Sequence, residues 1–202
     1  MPGGDKASQE PWRSAAALCW QARKTNYTES SPLLYAAWKK KINCPQSSSV
    51  GRLFDAAAAL LNVADSYSFE GQAPMLLEAL ANGGDAEAIE LPLKQDDQAI
   101  WCIDWQPLLD YLLDGSASAK NKAYCFHQSL ALALLEQAKI FRELYKIDVV
   151  GLSGGVFQNQ LLSQMTFSLL EEHHIKVFLG KKIPVNDAGI SYGQIIEYAA
   201  TA

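Results

Sequence analysis

Val149-Val150-Gly151-Leu152-Ser153-Gly154-Gly155-Val156-Phe157-Gln158-Asn159 is the stretch on which the reading of this chain turns. Residues 147–152 form a short apolar run, β-branched enough to predict a strand. Ser153-Gly154-Gly155 breaks it, and residues 160–172 return to a helical pattern. A second apolar run at 175–179 predicts another strand, and residues 187–200 a last helix. The segment before them, Tyr124 to Tyr145, predicts a long helix with Phe126, Leu130, Leu134, Phe141 and Leu144 on one face, widened by Leu135 and Ala138. Helix, strand, turn, helix, strand, loop, helix is the order of an α/β layer with parallel strands.

Upstream, the small polar stretch at 115–122 reads as a linker. It divides a mainly helical portion, residues 1–118, from a C-terminal α/β lobe, residues 119–202. In the first portion, Pro11 and Ser31-Pro32 mark helix starts. Residues 50–63 place Leu53, Phe54, Ala57, Leu60 and Leu61 on one helical face, and Gly71 to Leu80 predicts a further short helix. Residues 86–103 predict a β-hairpin, with Ile89-Glu90-Leu91 and Ile100 to Ile103 flanking the turn Gln95-Asp96-Asp97 and Pro92 at a strand end. Trp105 to Leu113 is again helical.

Composition narrows the function classes. The chain has 202 residues, 49% hydrophobic and only 19% charged, which excludes a disordered chain. Lys and Arg number 17 against 22 Asp and Glu, a net charge of -5 with no basic stripe, so nucleic acid is not expected as a partner. No apolar run reaches membrane-spanning length and the N-terminus is polar, so the expectation is a cytoplasmic protein without membrane contact. Cys19, Cys44, Cys102 and Cys125 form no CxxC pair and read as free thiols. His173 and His174 are neighbours, diverge on a helix and read as a solvated helix end. His127 reads as a packing residue, and Trp20, Trp38, Trp101 and Trp105 as core.

Five segments can carry chemistry. The strand–Ser153-Gly154-Gly155–helix turn lets backbone N–H groups approach an anion or a flat nucleotide beside a helix N-terminus, and it equally serves as a tight connection. Asn159 can bond a ligand or cap the helix. Asp187, in Pro184-Val185-Asn186-Asp187-Ala188-Gly189, can be an N-cap or a carboxylate for a metal. Asp55, inside an apolar helical run, needs either solvent, Arg52 at i−3 or a ligand hydroxyl such as a ribose. Glu70-Gly71 is a loop carboxylate of the same ambiguity. The opening Pro2-Gly3-Gly4-Asp5-Lys6 can contact phosphate or fray.

LSGGVFQN (152–159), PVNDAGISYGQ (184–194), SSSVGRLFDAAAALL (47–61), FEGQAPMLLEALA (69–81) and PGGDKASQEPWR (2–13) together resemble the C-terminal part of HypF, the carbamoyltransferase family of [NiFe] hydrogenase maturation. The resemblance runs along essentially the whole chain. It implies a TsaD-like lobe of the actin-like ATPase fold, with a helical subdomain, a short hairpin and a C-terminal parallel-strand/helix layer, the second part of one domain. It implies that a carbamoyl group derived from carbamoyl phosphate is joined to ATP as carbamoyladenylate and passed to the C-terminal cysteine of a partner, HypE. Gly154, Gly155 and Asn159, with Ser153 beside them, are then nucleotide contacts. Asp55 holds the ribose, the Glu70-Gly71 loop lies where a second ribose contact is made, and Asp187 binds a divalent metal (Mg, Fe or Zn). Ala188 stands where many relatives have glycine.

The family's metal-binding histidines, in an HxxxH element, and its upstream domains are not in these residues. The expectation is therefore a fragment, inactive alone, whose Asp187 lacks its histidine partners and whose surface keeps an exposed apolar face. No Ser–His–Asp or Cys–His arrangement is present, and none is needed if the reactive thiol belongs to the partner. Two other readings are a non-catalytic nucleotide-binding module and a TsaD-like tRNA threonylcarbamoyltransferase. Phe157-Gln158, the DKxxxEPWR opening and the missing basic patch argue against the latter.

Overall fold

A computed structural model describes residues 1–24, 31–63, 66–69, 71–180 and 182–201. The chain forms two compact units. The first is Met1–Pro92 with Ile103–Ser129, the second Leu93–Cys102 with Leu130–Ala202.

The first unit is helical: α1 (Trp12–Gln21), α2 (Pro32–Lys39), α3 (Val50–Leu60), α4 (Gln72–Ala81), α5 (Gln106–Leu113) and the start of the long α6 (Ala119–Tyr145). At its centre α3 packs on α1, α4 and α5. Every residue from Phe54 to Ala59 is buried, while Leu53, Leu60 and Leu61 are only half-buried. The single apolar face expected for α3 is thus replaced by burial all round. Its four consecutive alanines make this possible, because small side chains let Ala15, Leu18 and Cys19 of α1 close directly onto Ala56 and Ala59. Phe54 meets Phe126 and His127 edge-on, at ring distances of 4.9 and 5.3 Å. Trp20 is buried beside Tyr35 and Trp38.

Three expectations for this unit need correction. The opening segment does not fray: it forms a 3-10 turn, Gly4–Ser8, held by Gly3 N–H to Asn43 O and by Arg52 Nη1 to Ala7 O. Residues 119–122 are not linker but the first turn of α6. Lys122 is buried there, and its ammonium donates to the carbonyls of Leu112 and Asp114, neutralising the C-terminal end of α5. Ile89-Glu90-Leu91 is not a strand. The backbone before the hairpin is bonded instead by side chains of α6, Asp85 N–H to Asn121 Oδ1 and Ile89 N–H to Ser129 Oγ. The hairpin pairs β1 (Leu93–Gln95) with β2 (Trp101–Ile103) around an Asp96 side chain that accepts from Gln98 and Ile100 N–H.

The second unit contains β1 and most of β2, the rest of α6, β3 (Val149–Leu152), α7 (Gln160–Glu172), β4 (Lys176–Leu179) and α8 (Ile190–Thr201). β3 and β4 are parallel, with Leu152 opposite Leu179. Leu135, Leu152, Leu170 and Ile175 form the core between sheet and helices. α7 ends with His173 closing onto Leu169 O and His174 at φ 58, the solvated end expected of the two histidines. α8 is exposed along its whole length, including Ile190, Tyr192, Ile195, Ile196 and Tyr198. Among the described residues no helix is long and apolar enough to cross a membrane.

Candidate functional site

In the second unit, the loops that leave the C-terminal ends of β3 and β4 lie against each other. Gly154 N–H donates to Val185 O at 2.6 Å, and Gly155 faces Asn186. Ser153, Gly154 and Gly155 are exposed. Gly154 has φ 103 and ψ 153, a conformation essentially reserved for glycine. A Cβ built there meets nothing within 4 Å, so the glycine serves the turn and leaves open backbone surface above it. Because its own N–H is taken by Val185, what Gly154 offers a ligand is a flat face. Between Phe157-Gln158 and residues 182–185 lies a cleft of about 370 Å³. It opens where ligands enter parallel α/β sheets, outside the carboxyl ends of the strands.

Asn159 is a cap: its Oδ1 accepts from Leu162 N–H at 2.8 Å, and the residue is 7% exposed. Asp187 is not. The cap of the next turn is Asn186, whose side chain accepts from Ala188 N–H, and Asp187 is the exposed first residue of that turn. Its carboxylate is thereby left out of the capping role that sequence allowed. Ala188 has no left-handed backbone, so glycine is not required there. Gly189 is constrained by proximity, since a Cβ would stand 2.6 Å from Pro184 O. Among the described residues no three His, Cys, Asp or Glu side chains gather as metal ligands, so the residues present do not by themselves fit a metal centre.

In the first unit, Asp55 is 2% exposed. Of the two bland readings for it, exposure is wrong and the pairing with Arg52 is right: Arg52 Nη1 lies 3.0 Å from Oδ2. The Tyr67 hydroxyl donates to Oδ1 at 2.9 Å. Burial, then the charge of Asp55, pushes the phenol's pKa up, so it stays a donor. Tyr67 N–H is bonded to Gln9 O, which joins this loop to the opening segment. Gly71 starts α4 with φ 86. Glu70 lies outside the described residues. Tyr67 was missed from sequence because no periodicity links it to Asp55, twelve residues earlier. Cys19 and Cys125 are buried, and burial lifts both thiols, Cys19 to about 11, leaving them unreactive.

The family model for the Kae1-like domain of carbamoyltransferases, second subdomain, matches residues 1–194. The chain belongs to the HypF carbamoyltransferase family. It is 37% identical to the carbamoyltransferase HypF of Rhodobacter capsulatus, over 98% of this chain and 26% of that protein. It is 31% identical to carbamoyltransferase HypF2 of Cupriavidus necator, over 96% of this chain and 28% of the relative. A crystal structure of full-length HypF in the phosphate- and nucleotide-bound form superposes with a TM-score of 0.87 at 30% identity, over 96% of this chain and 27% of the other. The chain thus spans about a quarter of the length of these HypF relatives. The α/β fold matches HypF structures.

Proposed function

We propose that the Ser153-Gly154-Gly155 loop and the Val185-Asn186-Asp187 loop form one wall of a nucleotide site, in an actin-like ATPase fold, at which a carbamoyl group is activated. The observation that carries this reading is the direct contact of the two loops at the carboxyl ends of β3 and β4. The open surface over Gly154 suits a flat base or sugar, and Asn159 fixes the helix start behind it. A similar full-length HypF was crystallised in a phosphate- and nucleotide-bound form, which supports a nucleotide as the ligand class.

In this proposal ATP is the substrate and the carbamoyl group comes from carbamoyl phosphate. Hydrolysis of carbamoyl phosphate releases phosphate and leaves carbamate; a carbamate oxygen attacks the α-phosphorus of ATP, pyrophosphate leaves, and carbamoyladenylate forms. The terminal cysteine thiolate of HypE then takes the carbamoyl group and AMP leaves. The role of Gly154 and Gly155 is positioning the nucleotide on the second unit; in the first unit, taken by itself, Asp55 and the loop at Glu70-Gly71 are proposed as ribose contacts. Asp187 contributes one carboxylate toward a divalent cation whose other ligands are not in these residues. The exposed apolar α8 supports a protein that works joined to further structure rather than as these 202 residues alone.

The test is carbamoyl-phosphate-dependent exchange of pyrophosphate into ATP. It compares protein from the full reading frame with its Asp187→Ala variant and with the 202-residue chain. Exchange in the first and loss in the other two is expected. Nucleotide binding without exchange in any of them favours a non-catalytic nucleotide-binding module.

A further inference from the structure

The short turn Gly155–Gln158 sets its last two side chains against the cleft of about 370 Å³. Three hydrogen bonds pin its backbone. Phe157 N–H donates to Gly154 O at 3.1 Å, the Ser163 hydroxyl to Phe157 O at 2.8 Å, and Asn159 N–H to Val156 O at 3.2 Å. Phe157 packs against the Leu135–Ile175 core and also lines the cleft, with Leu179, Ile183 and Pro184. Gln158 lines it as well and is exposed. Its Oε1 lies 3.9 Å from where a Cβ on Gly155 would stand, so the amide sits beside the Gly-Gly turn. The neighbouring amide is differently engaged: Asn159 is 7% exposed and its Oδ1 is occupied by Leu162 N–H. Lys182 is the one cation among the described residues of the lining, too little charge for a polyphosphate.

Apolar walls with one carboxamide at the edge suit a flat heteroaromatic ring that offers a donor beside an acceptor. We propose that the cleft takes the base of an adenine nucleotide and that Gln158, not Asn159, reads its amino edge. This rests on the reading of the two loops as a nucleotide wall. A carboxamide meets that edge with two bonds: Oε1 accepts from the 6-amino group, and Nε2–H donates to the ring nitrogen next to it. Phe157 and Pro184 contribute apolar surface to the ring. The pinned backbone of the turn holds the amide in place before the base arrives, so little ordering is left for binding to do. A purine without the amino group leaves Oε1 facing a C–H and loses one of the two bonds. Gln158 is exposed in the empty cleft and bonds water there, so the difference is that of a net hydrogen bond and not of a buried orphan.

Calorimetric titration with AMP and with purine riboside 5′-monophosphate, which differs from AMP by the missing amino group alone, tests this on protein from the full reading frame. Wild type, Gln158→Leu and Asn159→Ala are compared. Wild type is expected to prefer AMP about fivefold. Gln158→Leu is expected to bind the two ligands equally, and an exposed position tolerates that change without loss of the fold. Asn159→Ala, which removes the helix cap, is expected to weaken both ligands alike and keep the preference. If AMP binds but wild type shows no preference, or if Gln158→Leu keeps it, the assignment of Gln158 is overturned and the nucleotide wall stands. If the preference disappears in Asn159→Ala and survives in Gln158→Leu, Asn159 is the reader and the proposal is overturned. Absence of AMP binding in every version overturns the nucleotide reading and this inference with it.

Discussion

In the first unit the singled-out carboxylate, Asp55, is buried and bonded by Arg52 and Tyr67; in the second, Asp187 is exposed and excluded from the capping bond that Asn186 makes. The first unit builds its polar feature from side chains brought together across the fold. The second builds its feature from backbone, with Gly154 and Val185 joined through main-chain atoms. Side-chain networks in a core depend on packing and couple strongly to stability. Backbone loops at strand ends cost the fold little and stay open to a ligand.

The largest effect should come from the packing around the buried feature. Phe54→Ala removes a fully buried ring that touches Phe126 and His127. It should lower stability by about 4 kcal/mol in urea unfolding. Asp55→Ala removes the carboxylate from the Arg52 guanidinium, which keeps its bond to Ala7 O, and should cost about 3 kcal/mol. The double variant Arg52→Met/Asp55→Leu should recover part of that loss. If Asp55→Ala is neutral, the contrast between the units collapses.

The second unit should respond less in stability and more in binding. Gly154→Ala forces a Cβ onto φ 103 and should cost about 2 kcal/mol while weakening nucleotide binding. Asn159→Ala loses the cap on Leu162 and should cost about 1 kcal/mol. The smallest effect concerns Cys19. Its folded-state pKa, near 11, lies above its ordinary value of 9.0, so the folded protein holds the thiol proton longer. Stability should then fall as pH rises between those values, and Cys19→Ala should flatten the decline.

The same contrast explains what the sequence made legible. α7 was readable to the residue because cap, periodicity and the following turn are all local. The parallel β3–β4 pair followed from two apolar runs separated by one helix. The first hairpin strand lies elsewhere because Ile89-Glu90-Leu91 alternates like a strand, yet its Ile89 N–H is bonded to the Ser129 side chain on a distant helix. The burial of Asp55 was hidden for the same reason: Arg52 is visible at i−3, but Tyr67 and the alanine packing of α1 are not periodic signals. The Gly-Gly and Asn-Asp motifs were readable as short local patterns. Their contact was not, since no sequence rule joins residue 154 to residue 185.

That contact is the centre of the functional reading, and amide hydrogen exchange with and without AMP tests it most directly. Protection should rise together at residues 151–159 and 185–189 in protein from the full reading frame, and Gly154→Ala should weaken both. Protection confined to one of the two segments, or to neither while AMP is bound, would contradict the assignment of the two loops to one nucleotide wall.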